Sequence, residues 1–347
     1  MARFEISTDF LQRFLTDLLN TPSPTGDTDY AVSLVEGELM SLEIPAERTR
    51  KGALISRLEG FQRDRPRALA AHVDTLGAMV ARIKPNGRLA MTALNGLNWP
   101  TVESEGVTIS TRNGRQIRGS VVFTNGAAHV NPAAKDGPRN ATTLEIRLDE
   151  RTRSAEETRL LGIEVGDFVA FDPRVEVAQS GYIRSRFLDD KASVACVVAA
   201  LKAIKEYDLT PAQDTSFLFA VHEEVGHGVR ESMPDDLAEL VVVDMACIGD
   251  GLAGDEHHCS ICVKDSAGPY SKALTNRMKD LAERRGIELI SDVYPYYSSD
   301  GSAYWRAGGG AEVALIGPGV DTSHGYERTH IDALVDTAGL IAEYLVD

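Results

Sequence analysis

The chain reads as an α/β protein with a mixed central sheet flanked by helices and a small β-barrel inserted into it. Three observations predict this. Apolar runs at residues 67–71, 215–221 and 240–243 read as buried strands, and each ends on acidic or imidazole side chains. Segments with helical spacing of apolar residues separate them. From about Met79 to Asp172 the pattern changes to short β-prone stretches divided by turn residues such as Asn86-Gly87 and Asn113-Gly114.

Taken in order, Phe10, Leu11, Phe14, Leu15, Leu18 and Leu19 repeat at helical spacing over residues 9–19. The breaker Thr21-Pro22-Ser23-Pro24-Thr25-Gly26 ends that helix, and a second runs from Asp27 to about Leu42. Strands are expected at 53–58 and 67–71, the latter running into Ala71-His72-Val73-Asp74. The inserted barrel takes its strands from 107–111, 116–124, 143–148 and 167–171. Beyond it come a helix over 192–207, the strand into Glu223, the strand into Asp244, a helix over 271–285, a strand at 312–316 and a closing helix over 331–345. The expected domains are therefore residues 1–78 and 173–347 for a catalytic α/β domain, with 79–172 as the insertion.

Composition narrows the functional classes. The 347 residues are 43% hydrophobic and 25% charged, as in an ordinary soluble globular protein. A formal net charge of −16 argues against a nucleic-acid partner or an anionic membrane surface, because both require a basic face. No apolar stretch approaches the ~20 residues of a membrane span. Met1-Ala2-Arg3-Phe4-Glu5 carries no signal-peptide core, so the cytoplasm is the expected location. Cys259 and Cys262 form a C-x-x-C beside His257 and His258, but no second Cys or His pair lies at zinc-finger spacing. A strand through Cys259, Ile261 and Val263 is the expectation there.

The stretch His222-Glu223-Glu224-Val225-Gly226-His227-Gly228 carries the most chemistry. Adjacent carboxylates at the end of a buried strand must be paired or bound to metal. His72, Asp74, Asp189, Asp190, Asp244 and His324 also fall just past expected strand ends. Each has a plain alternative, and Asp190 would serve as a helix N-cap before Lys191-Ala192-Ser193. Together they deliver imidazole and carboxylate groups to one sheet edge, where α/β folds bind ligands. That donor set, free of thiolate, suits Zn²⁺, Co²⁺ or Mn²⁺.

These segments resemble the glutamyl aminopeptidase (tetrahedral, TET-type) family of dinuclear metallopeptidases. Ala71-His72-Val73-Asp74-Thr75-Leu76-Gly77 resembles its A-H-x-D-x-x-G, Leu188-Asp189-Asp190-Lys191 its L-D-D-R/K, and His222-Glu223-Glu224-Val225-Gly226 its x-E-E-V-G. Ser23-Pro24-Thr25-Gly26, Ser154-Ala155-Glu156-Glu157 and 162–167 extend the likeness over nearly the whole chain. Thr322-Ser323-His324-Gly325-Tyr326 and Ser299-Asp300-Gly301-Ser302 stand where the family commonly has an aromatic followed by His-Ser, and G-T-D-A.

The resemblance implies a zinc-peptidase-like catalytic domain binding two divalent metal ions. His72, Asp189, Glu224, Asp244 and His324 would be the ligands, with Asp189 bridging. Glu223 would be the general base, and Asp74 would accept the other N–H of His72. It also implies a cis peptide between Asp189 and Asp190, a barrel that mediates dimer contacts, and assembly of dimers into a dodecamer. His129 is expected to pack or to lie at an interface. The implied activity is removal of N-terminal residues from peptides. An alternative keeps the chemistry on a dedicated small amide, such as a modified dipeptide osmolyte. A glycosidase would leave the histidines without a task, since that chemistry needs two carboxyl groups and no metal.

Overall fold

The structure, a computed structural model, describes residues 4–229 and 233–347. It divides into two units, one of Met1–Thr21, Thr28–Asp74 and Arg174–Asp347, the other of Pro22–Asp27 and Thr75–Pro173.

In the first unit the sheet has the order Ala46–Arg48, Leu54–Leu58, Gln213–Ala220, Gln62–His72, Glu239–Val243, Glu312–Val320, Cys259–Lys264, Ile290–Val293. The four strands at its centre run parallel, with Ala220 opposite His72, Val242 opposite Ala70 and Val243 opposite Ile316. Leu54–Leu58 and Cys259–Lys264 join antiparallel, so the sheet is mixed as expected. Nearly every side chain of the central strands is buried. Their sequences are continuous apolar runs because both faces of a parallel sheet are covered.

The Gln62–His72 strand starts five residues before its expected position, on the charged stretch Gln62-Arg63-Asp64-Arg65. Those residues are exposed, so apolar patterning alone misses them. Cys259 and Cys262 do lie on a strand, and both are buried.

Leu188–Glu206 is buried on nearly every side and packs against the helices Thr8–Leu19 and Ile331–Val346. A helix that is apolar all round belongs in an interior. Lys191, fully buried on it, donates to the carbonyls of Leu18 at 3.0 Å and Thr21 at 2.6 Å. It thereby caps the C-terminus of Thr8–Leu19, where a cation complements the helix dipole. Burial pushes the Lys191 ammonium down to about 7.

The second unit is a closed six-stranded barrel in the order Gly77–Ile83, Leu89–Leu94, Leu144–Leu148, Gln116–Phe123, Gly106–Ser110, Phe168–Phe171. Gln116–Phe123 alternates strictly between outward and buried residues, the period of a strand with one wet face. Gly87 and Gly114 take the left-handed φ that the Asn-Gly turns require. No helix among the described residues is long and apolar enough to cross a membrane.

Candidate active site

Gln213–Ala220, Gln62–His72 and Glu239–Val243 end close to one another, while Glu312–Val320 runs on past Ile316, the partner of Val243, and the residues just past these strands meet at one edge. His72 closes its own strand, Glu223 and Glu224 sit in the turn after Gln213–Ala220, and Asp244 follows Glu239–Val243. His324 lies in the turn after Glu312–Val320. Asp189 and Asp190 leave the helical path at the start of Leu188–Glu206, and the peptide bond between them is cis.

Every expected site residue arrives in this cluster. Asp189 has His72 on one side and His324 on the other: its Oδ1 lies 3.3 Å from His72 Nε2, its Oδ2 3.6 Å from His324 Nε2. Asp244 Oδ1 lies 4.0 Å from His72 Nε2, and Glu224 Oε2 3.9 Å from His324 Nε2. Glu223 Oε2 is 3.7 Å from His72 Nε2. Asp190 enters differently from the N-cap reading, since its Oδ2 accepts the main-chain N–H of His72 at 3.2 Å.

Asp74 also departs in detail. Its main-chain carbonyl, 2.9 Å from His72 Nδ1, is the nearer acceptor for that ring, and its carboxylate stands 3.6 Å off. The carboxylate accepts the backbone N–H groups of Glu223 at 3.2 Å and Glu224 at 3.3 Å. One buried side chain thus meets two successive main-chain donors of the turn.

The electrostatics call for added positive charge. Burial, and then neighbouring carboxylates, push Glu224 and Asp190 well above the ordinary carboxylate range. Burial raises Glu223 likewise, with His72 opposing, and lifts Asp244 to about 6. For His72, burial works downward, but Asp189 and Asp74 outweigh it and hold the imidazole well above its usual value. Asp190 Oδ1 and Asp244 Oδ1 are buried without a hydrogen-bond partner among the described residues. Buried oxygens in that state are costly unless a cation meets them. His72, Asp189 and Glu224 present donor atoms within 4.8 Å of one another, as do His72, Asp190 and Asp244. Divalent metal ions fit this nitrogen and oxygen set.

Comparison with known proteins gives the chain a family. The M42 glutamyl aminopeptidase family model matches residues 52–340. The chain belongs to the M42 glutamyl aminopeptidase family. It is therefore a peptidase. A Bacillus subtilis (strain 168) protein, YhfE, whose name proposes an aminopeptidase, is 43% identical over 331 residues, covering 95% of this chain and 96% of that protein. The solved TET1 peptidase of Pyrococcus horikoshii superposes with a TM-score of 0.83 at 21% identity, over 97% of this chain and 99% of that one. An aminopeptidase of Desulfurococcus kamchatkensis gives 0.86 at 20% identity, over 98% and 95%. Those two likenesses concern the fold.

Three residues of this M42 site were not legible as site residues. Glu327 is 2% exposed and accepts the backbone N–H of Asp189 and of His324, both at 3.1 Å. Ser323 Oγ donates to Asp189 Oδ2 at 3.1 Å. Asp300, 2% exposed, is pushed up to about 7 by burial, with His72 pulling it down and Asp74 and Asp244 adding to the rise. Gly228 runs so close to it that a Cβ there would lie 2.4 Å from Asp300 Oδ1. Glycine at that point lets the turn carrying Glu223 and Glu224 close down on the carboxylate.

Proposed function

We propose that this M42 peptidase is a dinuclear metal-dependent aminopeptidase that removes N-terminal residues from peptides. The observation that carries the reading is the placement of the two Asp189 oxygens, one toward each of two histidines. His72, Asp244 and Asp189 would hold one divalent ion; His324, Glu224 and the other Asp189 oxygen would hold the second. Zn²⁺ or Co²⁺ suits these donors best, with Mn²⁺ also compatible. When bound, such ions supply an activated water and a polarised carbonyl.

The remaining steps fall to side chains. Glu223 takes the proton from the attacking water and returns it to the departing amine, the task of a general base. Asp74 holds the Glu223 turn in place through both N–H contacts. The surplus of buried carboxylates attracts the cationic N-terminus of a peptide and repels its C-terminus. The small-amide alternative draws on the departing segments at residues 299–302 and 322–326, whereas the curated relatives carry aminopeptidase names.

We assign the barrel, with residues 79–172 as its sequence span, a role in contacts between copies. Val130, Leu160 and Val165 are large apolar residues left exposed on that unit, and His129 is exposed there too. The TET1 peptidase of Pyrococcus horikoshii assembles into a tetrahedron or a larger octahedral shell. A homo-oligomer, dimers building a dodecamer, follows from that analogy.

The deciding experiment is hydrolysis of Glu, Asp, Leu and Lys p-nitroanilides after chelation and again after Zn²⁺ or Co²⁺ is restored. Metal-restored cleavage is expected. Silence across the panel, with both ions bound in the catalytic centre, would overturn the peptide reading in favour of the dedicated small amide.

A further inference from the structure

Away from the catalytic cluster, His257, His330 and Asp332 each offer a ligand atom, and those atoms lie within 4.8 Å of one another. His330 Nε2 meets the carbonyl oxygen of Ser180 at 2.8 Å, so this nitrogen carries the proton and donates it. Its other nitrogen, Nδ1, then presents a lone pair, 3.1 Å from Asp332 Oδ2. Nδ1 also receives a longer hydrogen bond, 3.2 Å, from the Asp332 main-chain N–H.

That single long contact only partly occupies the lone pair, and the carboxylate oxygen beside it is best accommodated with a cation shared between the two. A proton would satisfy the pair by making His330 an imidazolium. The second ring argues for something larger. His257 stands 4.5 Å away, centroid to centroid, and tilted by 47°. Its Nε2 is engaged by the Tyr182 hydroxyl at 3.0 Å, and the Tyr182 ring packs edge-on against both imidazoles. Metal-binding histidines commonly have one nitrogen anchored to a neighbour, which leaves the other available to an ion.

We propose that His257, His330 and Asp332 form an additional binding site for a divalent transition-metal ion, separate from the catalytic centre. Two imidazoles and one carboxylate suit Zn²⁺ first and Cu²⁺ or Ni²⁺ next. The neighbouring C-x-x-C takes no part. Cys259 and Cys262 are buried in their strand, and burial pushes both thiols up to about 12. Beside the cluster a cavity of about 440 Å³, lined by His257, His258, Glu288, Asp332 and Asp336, leaves room for water at the open coordination positions.

The site's place in the fold gives it a structural consequence. His330 ends the strand Glu327–His330 and caps the helix Ile331–Val346, and Asp332 lies in that helix's first turn. His257 comes from the segment leading into Cys259–Lys264. An ion here fastens that segment to the helix N-terminus, at the far end of the short strand whose first residue, Glu327, holds Asp189 and His324.

The test is zinc stoichiometry on the full-length chain, stripped with a chelator, reloaded with Zn²⁺, desalted and assayed for bound metal. A His72→Ala/His324→Ala double variant disables the catalytic centre and is expected to keep one Zn²⁺ per chain. Adding His257→Phe should remove that ion while leaving the circular dichroism spectrum intact. Asp332→Asn serves as the gentler variant, since the Asp332 side chain is 66% exposed, and should weaken this ion's binding by about tenfold or more. The proposal is overturned if the folded double variant binds no zinc, or if neither His257→Phe nor Asp332→Asn changes its zinc binding. Neither outcome depends on peptidase activity, so this site and the proposed function stand or fall separately.

Discussion

Glu327 fixes the backbone of two proposed ligands with a single side chain, one oxygen for the N–H of Asp189 and one for that of His324. Glutamine there has only one accepting oxygen and would turn an NH₂ against the other N–H. Glu327→Gln should therefore cost about 1–3 kcal/mol and lower metal retention together with activity. Metal content matching the parent chain would refute this. Glu223→Gln should behave in the opposite way, keeping both ions while the rate falls by about 10²–10⁴-fold. Metal loss in that variant would mean that the division between base and ligand is wrong. His72, Glu223 and Glu224 were legible because they follow apolar runs in family-like segments. Glu327 and Ser323 carry no such mark, and Asp300 sits in a segment that departs from the family's pattern. Only the burial of Glu327 and Asp300, and the Ser323 hydrogen bond to Asp189, give them a task.

Elements position the site through close approach and through buried charge. Gly317 on Glu312–Val320 lies where a Cβ would come within 1.8 Å of the Asp244 carbonyl oxygen, so the strand can pass that ligand only as glycine. Thr322 and His324 both take a left-handed φ, near 60°, in the turn that delivers the imidazole. Such backbone is strained for a β-branched residue and clusters at functional sites. At the opposite end of the sheet, Glu239 accepts from Arg277 at 3.0 Å and Tyr344 at 3.0 Å, with Arg67 at 3.4 Å. Burial would raise its carboxyl, but the Arg277 hydrogen bond and the Arg277 and Arg67 charges hold it below its ordinary value. A depressed carboxyl stabilises the fold fully above its unfolded pKa, and the gain is lost as pH falls through the folded one. Glu239→Gln should then cost about 3 kcal/mol at neutral pH, with the gap from the parent chain closing as pH drops below about 4. Denaturant titrations across that range would show a constant gap if the network were neutral to pH.

For the whole molecule, the measurable expectation is assembly. Light scattering should return a mass many times that of the 37.6 kDa chain, and a monomer would remove the proposed role of the barrel. The order of α/β segments, the barrel between them and the donors at strand ends were all determined by local signals. Apolar periodicity sets where burial is favourable, turn chemistry sets where the chain reverses, and an acid after a buried strand has few inexpensive explanations. What only the tertiary structure decided is which donors meet. Parallel pairing levels Ala220 with His72 and Val243 with Ile316, a register no local pattern encodes. Packing of Leu188–Glu206 against that sheet places Asp189 between two histidines, and one oxygen each of Asp244 and Asp190 has no hydrogen-bond partner among the described residues. Folding also sets His257 against His330, far apart in the chain. Contacts of such range arise from packing many residues at once, so neither ligand pair could be read from either segment alone.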